Sequence, residues 1–207
     1  MLFMATQAER NAATREALRQ AALSQLVQFG YAGTNASAIC HAAGVTRGAL
    51  NHQYPDGKVG LIADLVETMF CEQVVHYYKD GYCQPLELVK AMLNALYRDP
   101  ENEMQLVMMD LWLSMRGDTK LEQVVGPVLY QGTDNLWRCF SPLGQSEVDT
   151  LAQLVRTFIT GLSVNRLNPN MSAAMARQQI KLMLELIELA LTPSAKPMDE
   201  LASIAEY

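Results

Sequence analysis

Cysteine is sparse and unpaired in this chain: Cys40, Cys71, Cys83 and Cys139 are scattered over 207 residues with no C-x-x-C pair. That spacing speaks against a zinc ribbon and against a disulfide framework, and the four read as reduced, mostly buried thiols. Long apolar runs are missing too. Met1-Leu2-Phe3-Met4 runs straight into Gln7, Glu9 and Arg10, so neither a signal peptide nor a membrane span is expected and the expected compartment is the cytoplasm. There is no low-complexity tract or internal repeat, and 50% hydrophobic with 18% charged residues is a globular composition.

Catalytic signatures are lacking. No phosphate-cradling glycine loop and no H-E-x-x-H occurs, and Gly161-Leu162-Ser163-Val164-Asn165 lacks the second glycine and the preceding strand of a nucleophile elbow. His41 and Cys40, adjacent on a helix, point about 100° apart. Glu72 and His76 share a helix face, but no second pair stands at ligand spacing. No metal, cofactor or enzyme activity is therefore expected.

Positive charge is also in short supply, with 16 Lys and Arg against 22 Asp and Glu, a net of -6. The deficit is uneven. Residues 1–60 hold five cations, Arg10, Arg15, Arg19, Arg47 and Lys58, against Glu9, Glu16 and Asp56, a net of +2 that leaves -8 for the remainder. An acidic body behind a mildly basic head would approach nucleic acid only through that head.

The hydrophobic period is helical throughout, which makes the fold class all-α. Leu18, Ala21, Ala22, Leu26 and Phe29 mark a first helix from Ala8 to Phe29, closed by Gly30. Asn35 can cap a short helix to Ala43, Gly44 breaks it, and Thr46 can cap another to Tyr54, stopped by Pro55-Asp56-Gly57. A long helix from Lys58 to Lys79 follows, then helices at 85–98, 102–116, 121–140, 146–167 and 173–191. Gly126-Pro127 and Gly132 are expected to kink or split the third of these last helices.

Two short helices joined at a glycine have the geometry of a helix-turn-helix, in which the second helix enters the DNA major groove. Ile39, Ala43, Val45, Leu50 and Tyr54 fall where the two must pack, with Cys40 small enough to let their axes approach. Arg47, Gly48, Asn51 and His52 are left on the outer face. Arg47 is expected to read a base edge, and Lys58 to contact phosphate.

The stretch AALSQLVQFGYAGTNASAICHAAGVTRGALNHQYPDGKVGLIADLV resembles the DNA-binding region of the tetracycline-repressor (TetR) family. The likeness covers about residues 12–70: Gly-Tyr after the first helix, a Thr before the second, Ile then a small residue, Ala-Gly-Val, and a Lys before the long helix. DLWLSMRGDTKLEQVV is similar to the junction of the sixth and seventh helices of many members. Asn51 and Gln53 stand where the family commonly has Tyr and His, and Tyr54 where it has Phe; Asn51 is suited to an adenine edge. The Asp56-Gly57 linker is one residue longer than the commonest form. The resemblance implies an N-terminal three-helix DNA-binding domain, residues 1–57, and a C-terminal ligand-binding and dimerisation domain, residues 58–207. It adds a phosphate contact for Thr46. The expected DNA-facing set is Thr34, Asn35, Ser37, Thr46, Arg47, Gly48, Ala49, Asn51, His52, Gln53, Tyr54 and Lys58.

Methionines and aromatics cluster between Tyr97 and Phe158, and Tyr97, Met108, Trp112, Met115, Tyr130 and Trp137 are the expected pocket for a small-molecule effector, although such stripes also build plain core. Asp110 could orient a cationic or hydroxylated ligand, but pairing with a partner such as Arg98 or plain exposure is the stronger expectation. Leu151, Val155, Phe158, Leu162, Met183, Leu186 and Ile187, on the last two helices, are the expected homodimer interface. The expected partners are double-stranded, palindromic operator DNA, an effector and a second copy of the chain. Three functions remain open: a ligand-controlled repressor, a DNA-binding protein without such control, and a helical enzyme or carrier. In the first, the helix from Lys58 to Lys79 is the expected lever from pocket to DNA.

Overall fold

The computed structural model describes residues 6–79, 85–138 and 146–191. Among these the chain forms α1 (Gln7–Gly33), α2 (Ala36–Ala43), α3 (Arg47–Gln53), α4 (Lys58–Lys79), α5 (Pro85–Arg98), α6 (Met104–Ser114), α7 (Thr119–Arg138), α8 (Ser146–Asn165) and α9 (Ala173–Leu191). No strand occurs among the described residues, and no helix there is long and apolar enough to cross a membrane.

α1 starts where it does because Thr6 and Glu9 form a reciprocal cap. The Thr6 hydroxyl accepts the Glu9 N–H at 3.2 Å and the Glu9 carboxylate accepts the Thr6 N–H at 2.6 Å. Gly30 breaks the helix as expected, with φ 65 and ψ 178, but one further turn to Gly33 follows the kink. α7 is not split at these residues. Pro127 lies inside one continuous helix, exposed, where water can take the carbonyl it frees. Gly132 is there for packing: a Cβ on it would collide with the Phe70 ring of α4.

Two apolar clusters hold the helices. The larger runs through α1, α2, α3, α4, α6 and α7, with Leu18, Ile39, Leu50, Leu61, Leu111 and Leu121 fully buried. It crosses position 57 without interruption, so the first three helices sit on the same core as α4 and α7. The smaller cluster joins α5, α8 and α9 around Leu93, Val155, Ile180 and Ile187. Each such side chain contributes roughly 1.5–3 kcal/mol by leaving water. Of the cysteines, Cys40 is buried and Cys71 exposed, so Cys71 departs from the expected burial; Cys83 and Cys139 lie outside the described residues.

Candidate nucleic-acid interface

The helix-turn-helix is assembled by local capping. The Asn35 side chain accepts the Ala38 N–H at 2.9 Å to start α2, and Gly44, at φ 67 and ψ 29, ends it in the left-handed conformation that favours glycine. The Thr46 hydroxyl accepts the Ala49 N–H at 3.1 Å to start α3 two residues later. Ile39, Cys40, Leu50 and Tyr54 are buried between the helices and α1, with Ala43 and Val45 packed against them. Burial pushes the Cys40 thiol up, against a smaller opposing effect of Arg47.

That packing leaves one polar face outward. Asn35, Ser37, Thr46, Arg47, Gly48, Asn51 and His52 are exposed, and Ala49 and Gln53 partly so. An Arg47 guanidinium N–H donates to the Ser37 hydroxyl at 3.2 Å, joining the two helices across their outer face. A Cβ on Gly48 would meet nothing nearer than the Thr46 hydroxyl at 3.7 Å, so the fold itself does not require glycine there.

Three expected members of the face are turned inward. The Thr34 hydroxyl is 2% exposed and donates to the Gly30 carbonyl at 2.7 Å. Tyr54 is buried, its hydroxyl donating to Asp64 at 2.5 Å, and burial with this bond pushes its phenol above the ordinary tyrosine range. The Lys58 ammonium donates to the carbonyls of Thr34 at 3.0 Å and Tyr31 at 3.3 Å, and lies 3.9 Å from the centre of the Tyr31 ring. It closes the end of α1 instead of reaching outward. Burial lowers its pKa, partly opposed by Asp118.

Arg15 joins the face unannounced by any linear motif. Exposed on α1, its Nε donates to the Gln53 side chain at 3.2 Å and its guanidinium lies 5.6 Å from the Tyr54 ring centre. Arg19, one turn on, is spent on Glu16 at 2.7 Å and Asp64 at 3.1 Å.

Behind the face, α6 and α7 grip the end of α1. Asp110 accepts the Tyr31 backbone N–H at 2.5 Å, so it neither faces a ligand nor pairs with Arg98. Asp118 accepts the Tyr31 hydroxyl at 2.5 Å and the Leu121 N–H at 2.9 Å, and these two bonds hold its carboxyl below the ordinary range. Lys120 pairs with Asp56 at 3.3 Å.

A cavity of about 550 Å³ opens on the other side of α6. Met108 and Trp112 of the expected pocket line it, together with Met69 and Phe70 of α4 and Met92 of α5. Tyr97, Met115 and Tyr130 do not. Met115 is buried in the larger cluster, Tyr97 is exposed, and Tyr130 is exposed with its ring 5.1 Å from that of Trp112. The Trp137 side chain lies outside what is described.

The expected dimer residues also divide. Val155 and Ile187 are buried in the smaller cluster, and Leu151, Phe158, Leu162 and Met183 pack partly buried against it, so these six serve the chain's own core. Leu186 is exposed, as are Leu154 and Val164 of α8 and Met175, Leu182 and Leu189 of α9.

Residues 18–65 match the family model of bacterial regulatory proteins of the tetR family. No curated protein sequence matches the chain. Among solved structures, a transcriptional regulator from Rhodococcus sp. Rha1 superposes with a TM-score of 0.64 at 17% identity, over 86% of this chain and 99% of that one. A protein assigned as a TetR-family transcriptional regulator from Rhodococcus sp. gives 0.62 at 19%, over 87% and 100%. A TetR transcription regulator from Haloarcula marismortui gives 0.59 at 16%, over 84% and 98%. These likenesses speak to the fold, and the matched helix-turn-helix speaks to the family. Residues 18–65 are thus a helix-turn-helix region like that of the tetR family of bacterial regulatory proteins.

Proposed function

We propose that the protein is a cytoplasmic, ligand-controlled repressor that grips a palindromic operator as a homodimer and releases it when a small molecule occupies the cavity between α4 and α6. One observation carries this reading: two of the helices that wall the cavity also hold the end of α3 and the end of α1. α4 lines the cavity with Met69 and Phe70 and binds Tyr54, at the end of α3, through Asp64. α6 lines it with Met108 and Trp112 and holds the end of α1 through Asp110. A ligand that shifts α4 would pull on the end of α3, and one that shifts α6 would pull on the end of α1.

On the DNA side, Arg47 and Asn51 read base edges, Thr46 and Arg15 meet phosphate, and Gly48 lets the backbone of α3 approach the groove. One seven-residue helix contacts too few bases for useful specificity, and two-fold symmetry doubles the count. The exposed apolar residues of α9, Met175, Leu182, Leu186 and Leu189, repeat at seven, four and three, a seam suited to helix pairing. On α8, Leu154, Gly161 and Val164 follow at seven and three, and nothing lies within 4 Å of a Cβ built on Gly161. Pairing of these faces from two copies makes a four-helix dimer contact.

The ligand must bind the DNA-incompetent state more tightly, and operator DNA must then weaken ligand binding by the same factor. The test is to select bound sites from random duplexes, footprint the best, and titrate retention against a metabolite extract. Release on addition supports the reading. Retention indifferent to every fraction would make the protein a regulator without small-molecule control.

A further inference from the structure

Arg15 stands on α1, yet the two groups that hold it belong to α3 and its C-cap. Its Nε–H donates to the Gln53 side-chain oxygen at 3.2 Å, and its guanidinium lies 5.6 Å from the centre of the Tyr54 ring. That ring is a fixed platform, because Tyr54 is buried and its hydroxyl is bonded to Asp64 of α4. Arg15 itself is exposed. A guanidinium set over a tyrosine face, with a neutral oxygen at its edge, is given a direction while its end stays in water.

The polarity of the bond to Gln53 follows from chemistry alone. Arginine has no acceptor, so the amide oxygen of Gln53 must face it and the amide nitrogen must stand on the other side. The use of Nε leaves the two terminal nitrogens, the end of the fork that grips a phosphate bidentately, without a hydrogen-bond partner among the described residues. The nearby carboxylates are engaged elsewhere. Glu16 accepts from Arg19 and Gln20, and Asp64 accepts from Arg19 and Tyr54. Arg19 spends its charge inside the chain, whereas Arg15 is oriented by an amide that cancels none of its own.

We propose that Gln53 is a positioning residue for DNA binding: its side-chain oxygen, together with the Tyr54 ring, holds Arg15 ready for one backbone phosphate beside the end of α3. Gln53 itself then reads no base. A glutamine that recognises adenine offers its oxygen and its N–H groups together, and here the oxygen is directed to Arg15. The advantage is entropic, since a long side chain already ordered in the free protein loses less freedom on binding. It is also blind to sequence, because a phosphate contact carries no base information.

This inference rests on the DNA-binding reading of the helix-turn-helix, and its test tells the two apart. The full-length wild type, Gln53→Met, Arg15→Ala and the double variant are titrated on the selected operator and on a random duplex over a range of salt, with thermal unfolding measured alongside. Gln53→Met keeps the length of the side chain and removes the acceptor. It is expected to weaken both duplexes alike, by about two- to tenfold, the scale of ordering one long side chain. Its salt slope is expected to stay at the wild-type value, because the guanidinium still reaches the phosphate, and its unfolding to stay unchanged, because the bond lies at the surface. In the double variant the Gln53 substitution is expected to cost nothing beyond Arg15→Ala. Wild-type binding by Gln53→Met, a loss confined to one base position, or a loss that persists in full without Arg15 overturns the assignment. If the wild type binds neither duplex, the DNA-binding reading itself falls and the positioning role falls with it.

Discussion

The Asp110 carboxylate on α6 accepts the Tyr31 backbone N–H on α1 at 2.5 Å, across 79 positions of sequence. The kink at Gly30 swings that N–H out of the helical ladder, and Asp110 takes it. Tyr31 then gives its hydroxyl to Asp118 and its ring face to Lys58, so a single residue ties α1 to α6, to the start of α7 and to α4.

Gly30 is required there on two counts. Its φ of 65 with ψ of 178 is a region that only glycine enters readily, and a Cβ would lie 3.0 Å from the Asp110 carboxylate. Gly30→Ala is expected to cost roughly 1–3 kcal/mol in urea unfolding. Asp110→Ala, which leaves the Tyr31 N–H without its acceptor, is expected to cost about 1–3 kcal/mol, and the two losses should not add. Wild-type stability in either variant would show that the junction is not held this way.

The bond from Tyr54 to Asp64 sets a pH dependence. Burial, then the hydrogen bond to Asp64, raises the Tyr54 phenol above its ordinary value of 10.0. The folded pKa therefore exceeds the unfolded one, so this stabilisation is complete below about pH 10 and is lost as pH rises through the folded value. Tyr54→Phe is expected to lose ~1 kcal/mol at pH 7, and its deficit against wild type should shrink as the pH passes 10. Denaturation at pH 7, 9, 10 and 10.5 measures it, and a deficit that stays constant contradicts the account.

The helix-turn-helix was legible because its determinants are local. Asn35, Gly44 and Thr46 act within three residues of themselves, and the burial of Ile39 and Leu50 follows from helical period alone. The errors fell where a side chain answers to something distant. Lys58 reads as a surface cation until the end of α1 is seen to present two carbonyls to it, and Asp110 reads as exposed or paired with a cation such as Arg98 until the Gly30 kink frees an N–H 79 residues away. Gly132 looks like a helix breaker in one dimension and is a seat for Phe70 in three. Val155 and Ile187 belong to the expected apolar stripe, but periodicity does not say which part of a broad stripe faces the chain's own core.

The reassignment of Lys58 and the finding of Arg15 change what DNA titrations should show. Arg47→Ala is expected to cost about 1–3 kcal/mol on the operator and relax one base position, with little effect on random DNA. Arg15→Ala should weaken all sequences alike and reduce the salt slope by about one. Lys58→Ala should lower stability and leave the salt slope unchanged, because its ammonium already serves the Thr34 and Tyr31 carbonyls. A slope that falls in Lys58→Ala and not in Arg15→Ala would return the phosphate contact to Lys58.

The proposed dimer contact is tested at residues that the chain's own core does not use. Phe158 packs partly buried against the smaller cluster, so a charge there would damage the monomer and its result would be ambiguous. Leu182 and Leu186 are 56% and 50% exposed, one helical turn apart on α9, and neither belongs to that cluster. Replacing both with Glu puts two like charges on each copy at the proposed seam, where they would be desolvated without partners, while the monomer loses little burial. The double variant is expected to retain helical content and unfold cooperatively, yet run as a monomer in light scattering and bind operator at least tenfold more weakly. The weakening follows because a dimer engages its second half-site at a high effective concentration and a monomer does not. A double variant that stays dimeric places the interface on another surface. One that becomes monomeric and still binds operator at full strength removes the need for a palindrome.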